Sequence, residues 1–279
     1  MVAQFTGAYI RALAVVLLIA SPTLVLPAQS QETAQIVTLV ALFSAILVFV
    51  EYASAYPSLI EFRDAPPFNR VRFVSLLLTV LLGAIVVRGQ YEVTALTQFV
   101  TAIGALIGFS MDFPGSPVRL VIGMFPEDSD ASSVLLIRAL VGVSYLISLI
   151  SLAVFAILMR LQSWPAKDRV FNVWINLPTF DPTSGGDVVA RLLRDARINI
   201  LLGFILPFLI PMAMSSAAIL FDPGALSSSQ TLIWMVAIWA FLPASLFMRG
   251  IAMGRIAYMI REQRRQSYER SVADGYVPA

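Results

Sequence analysis

Long charge-poor runs, separated by short polar segments, dominate the chain. A helix that crosses a bilayer satisfies its backbone hydrogen bonds internally and needs about 20 mainly apolar residues. Six runs meet that demand: Ala12 to Pro27, Ala34 to Tyr56, Phe73 to Val87, Ser133 to Met159, Ile198 to Leu220 and Thr231 to Met248. The first and third are short and draw on their flanks, while the fourth is long enough to tilt or to project from the bilayer. A seventh run, Ala95 to Met111, leads at once into Asp112, Phe113, Pro114, Gly115, Ser116 and Pro117, and then into a shorter apolar run from Val118 to Phe125. The pattern predicts an all-α polytopic membrane bundle, a single transmembrane domain over residues 1–279. It has six spanning helices, with seven as the alternative, and a re-entrant or interfacial segment around residues 95–125.

Basic residues choose between six and seven. Orientation follows the lysine and arginine bias of short loops, with the basic side in the cytoplasm. With six spans, the N-terminus, the 57–72 loop, the 159–198 loop and the tail share one side and hold 16 of the 19 basic residues. With seven, the best split falls to 13 against 6. Six spans with N- and C-termini in the cytoplasm are therefore expected, in a bacterial inner (plasma) membrane. The first span reads as an uncleaved anchor, although Ala28, Gln29 and Ser30 also fit a small-x-small cleavage site.

Composition narrows the chemistry. The chain has 58% hydrophobic and 13% charged residues, or 36 ionised side chains, where a soluble chain of this length carries about 70. Cysteine and histidine are absent, which removes disulfides, thiolate metal sites, cysteine nucleophiles and imidazole bases. The only lysine, Lys167, lies in a loop, and no two aspartates share the spans, so intramembrane Ser-Lys and paired-aspartate hydrolysis also lack their groups. No enzyme activity, cofactor, metal or nucleic-acid partner is expected.

Two extramembrane segments carry pattern of their own. The cytoplasmic loop 161–197 interleaves Trp164, Phe171, Trp174 and Phe180 with prolines. It then turns through Ser184, Gly185 and Gly186 to Asp187, a suitable N-cap. Val188, Val189, Leu192 and Leu193 fall on one helical face, with Arg191, Arg194, Asp195 and Arg197 on the other. The expectation is a short amphipathic helix along the inner leaflet, with tryptophans at headgroup depth and arginines near anionic lipid. The basic tail 258–279 should continue the last helix for a few turns.

Charges at the ends of the spans are the site candidates, because ions in hydrocarbon are costly. At about 1.5 Å per residue, Glu51, Arg249 and Arg11 reach the same inner depth, which predicts an ion pair of Glu51 with Arg249 or Arg11. Arg138 is expected to pair with an acidic residue near the outer surface, Asp112 among them. Helix-packing faces are read at Gly250 and Gly254, at Gly104 and Gly108, and along Ser144, Ser148 and Ser151. Kinks are expected at Pro207, Pro211 and Pro243. The span centres are almost purely aliphatic and aromatic, which weighs against an ion-coupled carrier. The resulting expectation is a non-enzymatic accessory, scaffold or assembly component of a membrane complex, embedded in the lipid bilayer and meeting a membrane-protein partner or a second copy. The alternative is a small-solute or lipid transporter built on the kinked helices.

Overall fold

The computed structural model describes residues 2–27, 30–125, 130–161, 164, 171–181, 183, 185–220 and 228–274. It is all-helical among these residues: α1 (Val2–Val25), α2 (Gln31–Ala53), α3 (Phe68–Arg88), α4 (Ala95–Met111), α5 (Pro117–Ile122), α6 (Ala131–Leu161), α7 (Val173–Asn176), α8 (Val188–Leu220) and α9 (Ser229–Ala273). Six of these, α1, α2, α3, α6, α8 and α9, are long and apolar enough to cross a membrane. An even number of crossings puts the start of α1 and the end of α9 on one side, the terminal face, opposite a distal face.

Side-chain oxygens start several helices by accepting the free amides of the first turn. Ser30 accepts from the Thr33 amide at 3.1 Å, Ser116 from Arg119 at 3.0 Å and Ser228 from Thr231 at 3.1 Å. Thr94 and Thr97 exchange bonds in a capping box at the start of α4. Hydropathy underestimates several helices at the terminal face. There α1 and α3 run past the charged residues Arg11 and Arg72, where the apolar stretches stop but helix-forming sequence does not.

The bundle is organised around α9, the most buried span, which packs on α8, α6 and α3. The least buried span, α2, packs on α1 alone, and α1 joins that hairpin to α3. Exposed Leu39, Phe43, Ile46 and Val50 cover the free face of α2, as expected of a lipid-facing surface.

The seventh apolar run does not span. α4 has 17 residues and is about 25 Å long. Its first turn meets the end of α3, where a Cβ on Gly89 would lie 3.3 Å from that of Thr97. Its far end, Asp112, meets Arg138 of α6. Gly83 of α3 faces Leu140 of α6, so Arg138 sits only about 6 Å in depth from Gly89, far less than the length of α4. α4 therefore lies obliquely across the distal half of α6, and α5 follows it to touch α6 and α8.

Three expectations need correction. The 188–197 stretch is not a separate interfacial helix but the first turns of α8, because nothing between Arg197 and Ile198 breaks the helix. Trp164 does not face lipid headgroups as an exposed side chain. It is 2% exposed in a cluster with Phe62, Phe68, Phe155, Leu177, Leu192 and Met253. Its indole donates to the Ala65 carbonyl at 3.2 Å. The Trp174 side chain lies outside the described residues. Finally, Gly250 and Gly254 do not act as a pair. Gly250 lets α8 approach, since a Cβ there would lie 2.9 Å from the Ala196 carbonyl oxygen, but Gly254 faces open space.

Candidate functional site

Ionisable groups gather at the ends of the bundle, starting with Glu51 in the last turn of α2. Its carboxylate accepts from the Ser58 hydroxyl at 2.6 Å and from the amides of Ser58, Leu59 and Ile60 at 3.0, 2.9 and 3.1 Å. Three successive amides and a hydroxyl form an anion cradle that fixes the chain reversal after α2. The open carbonyls of that helix end are taken by Arg63, which donates to Glu51 O at 3.0 Å and Ser54 O at 2.7 Å, and by Gln4, which donates to Ala53 O at 3.1 Å.

The expected pairing of Glu51 with Arg249 or Arg11 is therefore overturned. Arg11 donates to the Gly7 carbonyl and stands over the Tyr52 ring at 4.5 Å. Arg249 pairs with Glu61, its Nε and Nη2 meeting the two carboxylate oxygens at 2.6 and 2.7 Å. Depth was common to these groups, but the folded 54–67 loop reached both partners first. Glu51→Gln is expected to cost about 1–3 kcal/mol, because a neutral amide with one acceptor oxygen cannot serve four donors. Urea unfolding of the detergent-solubilised protein measures this. A change within 0.5 kcal/mol would show the cradle to be incidental.

Glu61 is the centre of the terminal-face cluster. Beyond the fork with Arg249 it accepts from the Thr179 hydroxyl at 2.8 Å. Burial acts to raise its pKa. The hydrogen bonds from Arg249 and Thr179, with the charges of Arg249 and Arg72, outweigh that and hold the carboxyl below its ordinary value. Arg72 lies close by, its Nε donating to Ser245 Oγ at 2.9 Å and its guanidinium over the Phe68 ring. Asn176 completes the cap. Its backbone oxygen takes the Phe62 amide at 2.6 Å and its Oδ1 the Asp64 amide at 3.1 Å. Those bonds hold Phe62, which is 1% exposed, at the left-handed φ of 53°. Asp187 caps α8 through the Ala190 amide at 3.2 Å and also meets Arg264 of α9 at 2.6 Å.

At the distal face the structure brings Arg138 and Asp112 together at 2.7 Å, and Arg119 joins the same carboxylate at 2.7 Å. Burial would raise the Asp112 pKa, but the two guanidinium hydrogen bonds and charges lower it overall. Arg138 also stands 4.3 Å over the Phe109 ring. Asp130 holds the start of α6 through the Ser132 amide and hydroxyl, while Asp128 lies outside the described residues.

Gly104 and Gly108 work as one face. A Cβ at either would lie 2.2 or 2.3 Å from the carbonyl oxygen of Ala139 or Arg138. The reciprocal residue, which sequence reasoning missed, is Gly142 of α6, whose Cβ would lie 2.0 Å from the Gly104 oxygen. Of the serine seam, Ser148 donates to the Ala240 carbonyl at 2.9 Å, Ser144 is buried without a hydrogen-bond partner among the described residues and Ser151 is buried.

Two of the three expected kink prolines meet at a different feature, an apolar cleft of about 440 Å³ lined by α6, α8, α9 and Pro117 of α5. Pro207 and Pro243 are on its wall. Pro211 has no amide hydrogen, so the Pro207 carbonyl loses its helical donor. The Trp239 indole fills the vacancy from α9 at 2.9 Å. Ser21 likewise donates at 2.8 Å to the Leu18 carbonyl, which Pro22 leaves open in α1.

Six apolar spans, ion pairs confined to their ends and an uncharged interior define an integral multi-pass membrane protein. Compared with family models, curated proteins and solved structures, the chain matches none.

Proposed function

We propose that the protein is a non-enzymatic accessory or scaffold component of a membrane complex, with its terminal face in the cytoplasm. The observation that carries this reading is the end of α9. The helix has 45 residues and is about 66 Å long against a hydrocarbon core of about 30 Å. From Tyr258 onward it is mostly exposed and carries Arg261, Arg264, Arg265 and Arg270. Only the Arg264 contact with Asp187 ties this extension to another element through a salt bridge among the described residues. A rigid, charged rod presented beside a folded cap suits docking. The positive-inside bias supports the cytoplasmic assignment, and the basic surface also suits anionic lipid headgroups.

The transport alternative has the cleft in its favour but lacks a polar path. Among the described residues, the charged side chains near the spans are engaged in caps, ion pairs or hydrogen bonds towards the two ends of the bundle. The test is purification of the full chain from native membranes in a mild detergent, beside the Arg261→Glu, Arg270→Glu double variant. The proposal expects a stoichiometric membrane-protein partner that the variant loses while eluting as a folded protein. A chain that purifies alone and moves solute after reconstitution would overturn it.

A further inference from the structure

The cleft has a construction that apolar packing alone does not explain. α6 and α8 both pack on α9 but not on each other, which leaves a lateral window between them. α9 forms its floor through Trp239, Ala240, Pro243 and Ala244, and Pro117 of α5 lies at its distal end. Phe204, which is 64% exposed, and Leu149, which is 47% exposed, stand at the rim. The window therefore faces hydrocarbon, and its contents must come from the bilayer.

Its polar atoms decide what fits. A helical residue and the one four positions before it share a face. Both members of the pairs Gly203/Pro207 and Trp239/Pro243 line the cleft. Each proline denies its i−4 carbonyl the usual amide donor. At Pro207 and Leu18 a side chain replaces that donor, but no side chain among the described residues does so for Gly203 or Trp239. The Tyr145 hydroxyl, on the α6 side of the window, also has no hydrogen-bond partner among them. In hydrocarbon no water makes up the deficit.

We propose that this window is a binding site for a hydroxyl-bearing apolar lipid. Its chain or ring lies against Phe204, Phe208, Trp239 and Phe247, and its hydroxyl donates to the Gly203 or Trp239 carbonyl while accepting from Tyr145. The volume lies within the range of about 300–1,000 Å³ usual for small-molecule sites. A plain acyl chain would fill the space but leave the acceptors open. The site is independent of the scaffold reading, since a docked partner on α9 neither requires nor excludes it.

Photolabelling of the full chain in phosphatidylcholine vesicles tests this, with diazirine-bearing hexadecanol and the matching diazirine hexadecane as probes. The alcohol should label cleft residues saturably, compete with unlabelled hexadecanol, and exceed the alkane about fivefold, as one net hydrogen bond would give. Pro207→Ala and Pro243→Ala each return an amide donor to the helix and together should bring the alcohol-to-alkane ratio towards one. Exposed Leu39 and Phe43 of α2 report unspecific lipid contact. Equal labelling by the two probes in the wild type, or alcohol labelling that is no stronger in the cleft than on α2, would overturn the proposal. A ratio unchanged by restoring both donors would do so too.

Discussion

Gly142→Leu is expected to prevent α4 from seating on α6 and to destabilise the protein by about 3 kcal/mol or more, at the upper end of overpacking effects. The magnitude follows from what the new side chain meets. A Cβ at this position would lie 2.0 Å from the Gly104 oxygen and 2.5 Å from the Gly108 amide nitrogen. Both are backbone atoms, which cannot rotate away as a side chain can. Relief requires the two helices to separate, and separation breaks the Asp112 link to Arg138 at the end of α4. Gly254→Leu is the matched control, because nothing lies within 4 Å of a Cβ there. Thermal unfolding in detergent should show a large loss for the first variant and near wild-type behaviour for the second. Similar losses in both would contradict the close approach as the source of the cost, because replacing a helical glycine by itself favours the helix.

Glu61→Ala should be comparably severe, at about 3–5 kcal/mol, the range for removing one partner of a buried ion pair. It leaves Arg249 without its carboxylate and removes the negative charge of Glu61 from beside Arg72 at the cap. Replacing Arg249 as well should recover part of the loss, so that the double variant costs less than the sum of the singles. Acid reads the same interaction. The native Glu61 carboxyl is held below its ordinary value of 4.5. The unfolded chain therefore binds the proton first, and stability present above pH 4.5 is lost as the pH falls through the lower native value. The Glu61→Gln variant should lose less stability than wild type over that acid range. Parallel pH profiles, or strict additivity in the mutant cycle, would contradict the assignment.

The spans were legible because a bilayer imposes one demand, a long apolar run with closed backbone hydrogen bonds, and Ala34 to Tyr56 or Thr231 to Met248 can hardly satisfy anything else. The oblique α4 was legible for a related reason, since reading it as a span scatters Arg63, Arg70 and Arg72 to the less basic side. Asp112 and Arg138 could be matched because a single short loop limits the distal partners. Shared depth did not identify the partners of Glu51. Its true partners are backbone amides of residues 58–60, and amides carry no sequence signal. Glu61 was hidden by its position in a loop whose compact fold depends on Asn176, more than 100 residues away.

The cleft was half visible. Pro207, Pro211 and Pro243 stand out in any apolar run, but the meeting of Pro207 and Pro243 at the cleft depends on how α8 packs against α9, and the Trp239 bond to Pro207 links positions 32 residues apart. Gly142 escaped notice because it has no glycine four positions away in its own helix. Its partners, Gly104 and Gly108, lie on α4.

α4 returns to the distal face instead of crossing, and the rest of the topology depends on it. Val93 and Phe113 flank it and are 70% and 53% exposed, and the chain has no native cysteine to confuse labelling. Val93→Cys, Phe113→Cys and Gln266→Cys, made singly and treated in intact cells with a membrane-impermeant thiol reagent, test it directly. The first two should react from outside and the third only after permeabilisation. Opposite accessibility of positions 93 and 113 would make α4 a seventh span and overturn the six-span topology.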